Sequence, residues 1–314
     1  MVRKREITVQ KHEAGETLNI WLSKRYTYHT IDVWTEHINA GRITLNGEEI
    51  PPSTIINSND LVIYYPKPII EPPINPNYIV LHEDDDLLVI NKPNDIPCHP
   101  GGIYFKHTLW YILKKKYDYI SLINRLDRET SGVMLIAKNK ISAKFYFNQM
   151  MERNIKKQYL VLVHGEFPEK LSAKGWLSPD TASVIRKKRL FILDKEACQP
   201  EGEGDPNKQF SHSEFELIKY KNGISQVKCN ILTGRTHQIR ATLCSLGYPV
   251  VGDKIYGLDD SFFFKFINDE LTEKNWNDLK LENQALHSWK TEISMLNGER
   301  SIFTAKQPEE WSIL

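Results

Sequence analysis

The chain is poor in the features that mark several large protein classes. It has four cysteines, Cys98, Cys198, Cys229 and Cys244, with no Cys-x-x-Cys pair and no short His/Cys cluster at zinc-ligand spacing. Long apolar runs are missing: residues 61–65 and 160–163 are strand-sized, far too short to span a bilayer. The opening MVRKREITVQ is basic but lacks the apolar stretch of a signal peptide. A reduced, soluble, cytoplasmic protein is therefore expected. Neither charge sign dominates: 41 basic and 40 acidic side chains leave a formal net charge of +1, so any basic surface must be local. Glycine and proline, 16 each, exclude collagen-like or low-complexity character. No phosphate loop, dinucleotide fingerprint, Gly-x-Ser-x-Gly elbow or His-Glu-x-x-His occurs. Nucleotide-cofactor, serine-hydrolase and zinc-protease chemistry thus have no support. What is present is 40% hydrophobic and 26% charged residues over 314, enough for about two domains with buried cores.

The first 66 residues read as a small separate unit. Leu18, Trp21 and Leu22 fit one helical face, and Ile31, Trp34 and Ile38 fit a second. Gly41 stops that helix, residues 42–45 form a strand, and Asn46-Gly47 is a two-residue hairpin signal before residues 48–50. Residues 61–65 supply another strand. PKPIIEPPINPN follows, and its prolines predict a stiff extended linker over 67–77. From 78 to 314 the pattern turns β-rich, with strands predicted at 78–82, 87–91, 133–137, 159–164, 214–220 and 226–232. Helices fall between them at 108–116, 140–153 and 237–245. The order is α+β, without regular βαβ alternation.

Several stretches concentrate chemistry. In Asn124-Arg125-Leu126-Asp127-Arg128-Glu129-Thr130-Ser131-Gly132, arginines flank Asp127 on a loop before the buried strand VMLIA. Nearby positive charge holds such a carboxylate ionised, which suits a nucleophile or electrostatic stabiliser; a surface ion-pair cluster is the bland alternative. In LTGRTHQIRATLCSLGYPVVGDKIYG, the turn 233–236 carries hydroxyls placed to cap the next helix. Arg235, His237, Gln238 and Arg240 there offer multidentate hydrogen bonding suited to phosphate or to a carboxylate such as Asp127. Tyr159 heads the strand of KKQYLVLVHGEF, where it stacks on a base or simply joins the core. The loop NKPNDIPCHPGG lines a pocket or turns a corner. Arg186-Lys187-Lys188-Arg189 is a compact basic run, a solvated loop or a phosphate contact.

Together these motifs are recognisable. EDDDLLVINKPNDIPCHPGG, NRLDRETSG, KKQYLVLVHGEF, LTGRTHQIRATLCSLGYPVVGDKIYG and Asn283-Gln284-Ala285-Leu286-His287, in that order, resemble the RluA family of pseudouridine synthases over about residues 78–307. INAGRITLNGEEI and the helices before it resemble the small helix–hairpin RNA-binding module shared with a ribosomal small-subunit protein. The resemblance implies a catalytic domain on a mixed, largely antiparallel sheet with flanking helices, behind a small N-terminal α/β module. It implies an isomerase that breaks the N-glycosidic bond of a uridine and rejoins the base through carbon 5, without cofactor or metal. Carried over by motif, Asp127 is the essential aspartate and Arg235 the basic residue paired with it. Tyr159 stacks on the target base, Leu232 packs beneath it, and Arg125 assists flipping; Arg128, His237, Gln238 and Arg240 join the substrate-binding set. Chemistry on a base requires its extrusion into a pocket.

Three positions depart from the family pattern. Asn124 and Thr242 stand where histidines are usual, and Asp95 where glycine is common, although aspartate tolerates a left-handed backbone. IPCHPGGIYFKHTLWYIL and ACQPEGEGDPNKQFSHSEFELI look more like the branch acting on the transfer RNA anticodon stem-loop. The appended module also suits enzymes of large-subunit ribosomal RNA. The expected partner is thus structured RNA, tRNA or rRNA, for a monomer away from membranes. Two other classes compete. A noncatalytic RNA-binding protein on this fold would not need the Asp127, Tyr159, Arg235 set, and a glycosidase needs two cooperating carboxylates, whereas Glu129 and Asp253 have no motif support.

Overall fold

The computed structural model describes residues 4–66, 70–198, 205 and 207–313. The chain divides into two compact units, Met1–Ile70 and Glu71–Leu314. In the smaller, β1 (Arg5–Thr8) leads to α1 (Leu18–Arg25) and α2 (Ile31–Asn39), followed by β2 (Ile43–Leu45), β3 (Glu48–Glu49) and β4 (Leu61–Tyr64). The strands form one antiparallel sheet in the order β1-β4-β2-β3. Thr30 caps α2 by accepting the Val33 amide, and Gly41 ends it in the left-handed region (φ 65°). Asn46 and Gly47 both have positive φ (52° and 91°), the geometry that joins two twisted strands in the fewest residues. Leu18, Trp34, Ile43, Ile56 and Val62 are buried at the centre, with Trp34 edge-on to Tyr28, His29 and Tyr64. Ile31, expected on the buried face, begins the helix and remains exposed. β1 lies outside the sequence reading, because four residues flanked by charge carry too little pattern.

The larger unit begins with β5 (Ile79–Glu83), β6 (Leu87–Lys92), α3 (Leu109–Lys114), β7 (Ser121–Leu122) and β8 (Ser131–Ala137). It continues through α4 (Lys140–Met151), β9 (Lys156–His164), β10 (Lys170–Pro179), β11 (Arg189–Leu193), β12 (Gln209–Lys221) and β13 (Ile224–Ile231). It closes with α5 (Gln238–Ser245), α6 (Ser261–Ile267), α7 (Glu273–Leu279), β14 (Leu286–Ser294) and β15 (Arg300–Thr304). One eleven-stranded sheet runs β11-β10-β12-β13-β9-β14-β8-β6-β5, with β15 beside β14 and β7 beside β8. Only β8 and β14 pair in parallel among the described strands, so the sheet is mixed and largely antiparallel. Both faces are covered at its centre. Leu88, Ile90, Met134 and Ile136 enter one core, and Leu87, Val89, Val133 and Leu135 enter the other. That period-two split explains why LLVINK and SGVMLIA read as continuous apolar runs.

The predicted strands and helices of this unit are present with ends shifted by a few residues. β10, β11, β14 and β15 lie outside the sequence reading, their alternation being diluted by charge and glycine. The linker boundary moves as well. From Glu71 onward the proline-rich stretch belongs to the larger unit, because the Glu71 carboxylate accepts the amides of Phe105, Lys106 and His107 at 2.7, 2.9 and 2.7 Å. Residues 67–69, and 199–204 and 206 of the branch-like stretch, lie outside the described residues. No helix among the described residues is long and apolar enough to cross a membrane.

Candidate active site

Asp127 sits on the loop between β7 and β8, and that loop is fastened along its length. Asn124 bridges it to β8, its Oδ1 accepting the Leu135 amide at 2.8 Å and its Nδ2 donating to the Val133 carbonyl at 3.3 Å. The buried Cys98 thiol donates to the Leu126 carbonyl at 3.1 Å. Lys92, fully buried, donates to the carbonyls of Pro93, Ile96 and Arg128 at 2.7, 3.0 and 3.0 Å. Three carbonyl dipoles answer its three protons, although burial still pulls its pKa down to about 8. The Asn-Lys-Pro loop therefore turns a corner in order to pin the residue after Asp127. Asp95 within it takes the left-handed conformation (φ 55°) that the sequence allowed. Gly132 closes the loop where β8 meets β14: at φ 113° an added Cβ would fall 2.2 Å from the Ser288 carbonyl oxygen.

The charge partner of Asp127 differs from the sequence expectation. Arg240, on α5, donates from Nη1 to Asp127 Oδ2 at 2.7 Å and from Nε and Nη2 to Asp253 at 2.7 and 2.8 Å. Arg235 instead donates from Nε to the Phe210 carbonyl at 3.1 Å. The cause is geometric. Residues 233–236 form the turn before α5, whereas Arg240 is the third residue of the helix, on the face toward the Asp127 loop. Arg240 is 5% exposed and Asp253 is fully buried, while 31% of the Asp127 side chain stays open. Burial works against ionisation of Asp127, but Arg240, His237 and the Gln284 hydrogen bond outweigh it and hold its pKa below the usual carboxylate range. Asp253 behaves alike: burial opposes its charge, and Arg240 with the amides of Tyr256 and Ile255 prevails. One guanidinium thus pairs with two carboxylates and leaves one net negative charge, and only Asp127 keeps an open face.

The other expected residues fall into two groups. Tyr159 lies on β9 opposite Ser288 and Cys229 and is nearly buried. Burial raises its pKa, and the Asp127 charge adds to the rise, so it stays neutral beside the carboxylate. Leu232, at the end of β13, is 42% exposed. Arg125 is exposed two residues before Asp127. His237 adopts the left-handed region (φ 56°), places Nδ1 2.9 Å from the Tyr256 hydroxyl and Nε2 3.9 Å from Asp127 Oδ1. Burial first, then Arg240, lowers its pKa, so the ring is neutral near pH 7.

The second group is occupied in holding the scaffold. Arg128 is taken up by Glu129 and the Tyr104 hydroxyl, each at 2.8 Å. Gln238 accepts from the Thr233 hydroxyl and the Arg235 amide and donates to the His212 carbonyl and Ser213 Oγ, so its amide is spent on the turn. Correspondingly, no threonine hydroxyl caps α5, whose N-cap is His237. Thr242 is fully buried, and its hydroxyl finds no hydrogen-bond partner among the described residues.

Sequence reasoning left out Gln284, which donates to Thr130 Oγ1 at 2.6 Å and to Asp127 Oδ2 at 3.5 Å. It also gave no role to Glu129, which receives Lys254 at 3.0 Å and the Gln284 amide at 3.2 Å. Only their places in the family-like motifs signalled them. A cavity of about 360 Å³ lined by Asn94, Glu129, Lys280, Gln284, Glu310 and Trp311 borders the loop without including Asp127. Among the described residues no group of three His, Cys, Asp or Glu side chains is placed to hold a metal ion.

The arrangement is a carboxylate at the open end of a buried ion network. Comparison with known proteins gives the family. Residues 86–245 match the RNA pseudouridylate synthase family, and the chain belongs to it. It is 35% identical over 230 residues to the mitochondrial tRNA pseudouridine(32) synthase of Saccharomyces cerevisiae, covering 71% of this chain and 46% of that protein. It is 31% identical over 259 residues to an uncharacterised RNA pseudouridine synthase of Aquifex aeolicus, covering 78% of each. The solved structure of human RNA pseudouridylate synthase domain containing 1 superposes with a TM-score of 0.58 at 23% identity, over 76% of this chain and 87% of that one, and supports the fold. The chain spans about half the length of several curated relatives it matches, at 46% and 42%.

Proposed function

We propose that this protein isomerises a uridine in the anticodon stem-loop of transfer RNA, with Asp127 as the catalytic group. The carrying observation is the Asp127–Arg240–Asp253 network, which keeps a carboxylate charged at the open end of a buried site. The base leaves its stack, Tyr159 stacks against it, Leu232 supports the opposite side, and Arg125 fills the vacated position. The N1–C1′ bond breaks, the base turns, C5 bonds to C1′, and the C5 proton moves to N1, so substrate and product have the same composition. Asp127 supplies the anionic group for this exchange, and Arg240 keeps it ionised without taking part itself. The choice of transfer RNA is supported by the yeast relative, whose name specifies tRNA position 32. The N-terminal unit, with its helix pair and hairpin, serves as an RNA-binding module in the cytoplasm.

The test is pseudouridine mapping of total RNA from cells lacking the gene, rescued by the wild type or by Asp127→Asn. That variant removes charge at nearly constant volume and leaves Arg240 paired with Asp253. We expect one anticodon-loop site to vanish and to return only with the wild type, with a loss of at least about 10³-fold in turnover for the variant. Equal rescue by Asp127→Asn would remove the catalytic assignment. A lost site in ribosomal RNA would redirect the substrate.

A further inference from the structure

Two lysines near the Asp127 loop, Lys92 and Lys254, are buried and met by acceptors, and Lys157 on β9 is half-buried. Lys92 meets three carbonyls, and Lys254 meets Glu129 and the Glu282 carbonyl. Lys157 is different. Its ammonium lies 3.5 Å from Met150 Sδ in the last turn of α4, and among the described residues that thioether is its only hydrogen-bonding contact. A side chain at Gly234 would begin within 3.8 Å of the same nitrogen. The ammonium therefore stands between the end of α4 and the turn that carries Arg235 and His237. Burial draws its pKa down to about 8, and no carboxylate restores it.

The strand geometry gives this cation a direction. Lys157 and Tyr159 are two apart on β9, opposite Thr291 and Ser288 of β14, so they rise from the same face about 7 Å apart. That separation matches the reach from the base of a nucleotide to its own phosphate. Gly234, bare of a side chain, leaves the approach to the ammonium open. A half-buried cation whose hydrogen-bonding contact is a thioether has no counter-charge among the described residues, and an RNA substrate brings an anion to it. We propose that Lys157 binds the backbone phosphate of the flipped uridine while Tyr159 stacks on its base. The proposal rests on the reading that the Asp127 cleft receives a uridine.

The experiment measures the affinity of full-length protein for a fluorescein-labelled anticodon stem-loop RNA with uridine at position 32, across a series of salt concentrations. Wild type, Lys157→Met and Lys157→Arg are compared, with circular dichroism as the folding control. Lys157→Met should weaken binding about tenfold and reduce the slope of log Kd against log salt by about 0.7–0.9, the contribution of one phosphate contact. Lys157→Arg should keep the wild-type slope. A wild-type slope in Lys157→Met overturns the proposal, as does a slope in Lys157→Arg as low as that of Lys157→Met, which would mark a packing role. If Lys157→Met does not fold, Lys157→Gln carries the same comparison. Binding by the wild type without turnover would overturn this RNA as substrate while the slopes still decide Lys157; absence of binding would overturn both.

Discussion

The N-terminal unit and the Asp127 cleft each surround a buried cluster, yet they assemble over very different lengths of chain. In the smaller unit Trp34 packs against Tyr28, His29 and Tyr64, all within about thirty residues, and turn residues at Gly41 and Asn46-Gly47 set the path between them. In the cleft Arg240 reaches Asp127 from 113 residues away, Gln284 reaches it from 157, and His287 meets Ser131 across 156. The smaller unit is held by apolar and aromatic area, which tolerates approximate placement. The cleft is held by charge in a low-dielectric setting, where one absent partner leaves an unpaired ion.

Breaking the second kind of contact should have the largest effect. Arg240→Met strips the cation from two carboxylates at once, and we expect about 3–5 kcal/mol lost from the larger unit together with loss of turnover; urea unfolding followed by turnover measurements checks both. Trp34→Ala removes the aromatic centre of the smaller unit, and a comparable loss of about 3–5 kcal/mol should stay there. Hydrogen exchange should then quicken across residues 4–66 and remain unchanged in β6, β8 and β9.

Acid sharpens the contrast further. The pKa values of Asp127 and Asp253 lie below their unfolded values, and so does that of His237. All three therefore stabilise the fold fully above the unfolded pKa values, and that stability is lost as pH falls through the folded ones. Wild-type urea midpoints should decline from about pH 6.5 downward. In Arg240→Met the carboxyls, buried without their cation, favour the proton, so its deficit relative to wild type should shrink toward pH 4. A constant deficit would mean that Arg240 is not their charge partner. The smallest effect is expected at Arg235→Met, about 1 kcal/mol for its bond to the Phe210 carbonyl. A loss as large as that of Arg240→Met would return Arg235 to the centre of the site.

Much of this was legible along the chain. The α1 and α2 faces, the Asn46-Gly47 hairpin, the buried runs of β6, β8 and β9 and the loop position of Asp127 follow from periodicity and turn chemistry. The choice between Arg235 and Arg240 was not, since both stand in one motif and differ only in which side of a turn they leave. The scaffold roles of Lys92, Gln238 and Asn124 were equally hidden. Each is a polar residue whose pattern names no partner, and the partners are mostly backbone groups that only the folded loops bring within reach.

Sequence by itself determined the helices α1 to α5, many of the strands and the family, because propensities, turns and motifs are properties of neighbouring residues. Tertiary structure decided which cation neutralises Asp127, which hydrogen-bonding side chains are already spent, and that Lys157 is left without an anion. Those are questions of distance and desolvation between side chains, across as many as 157 residues for Gln284 and Asp127, and they acquire answers only when the sheet brings β8, β9, β14 and α5 together.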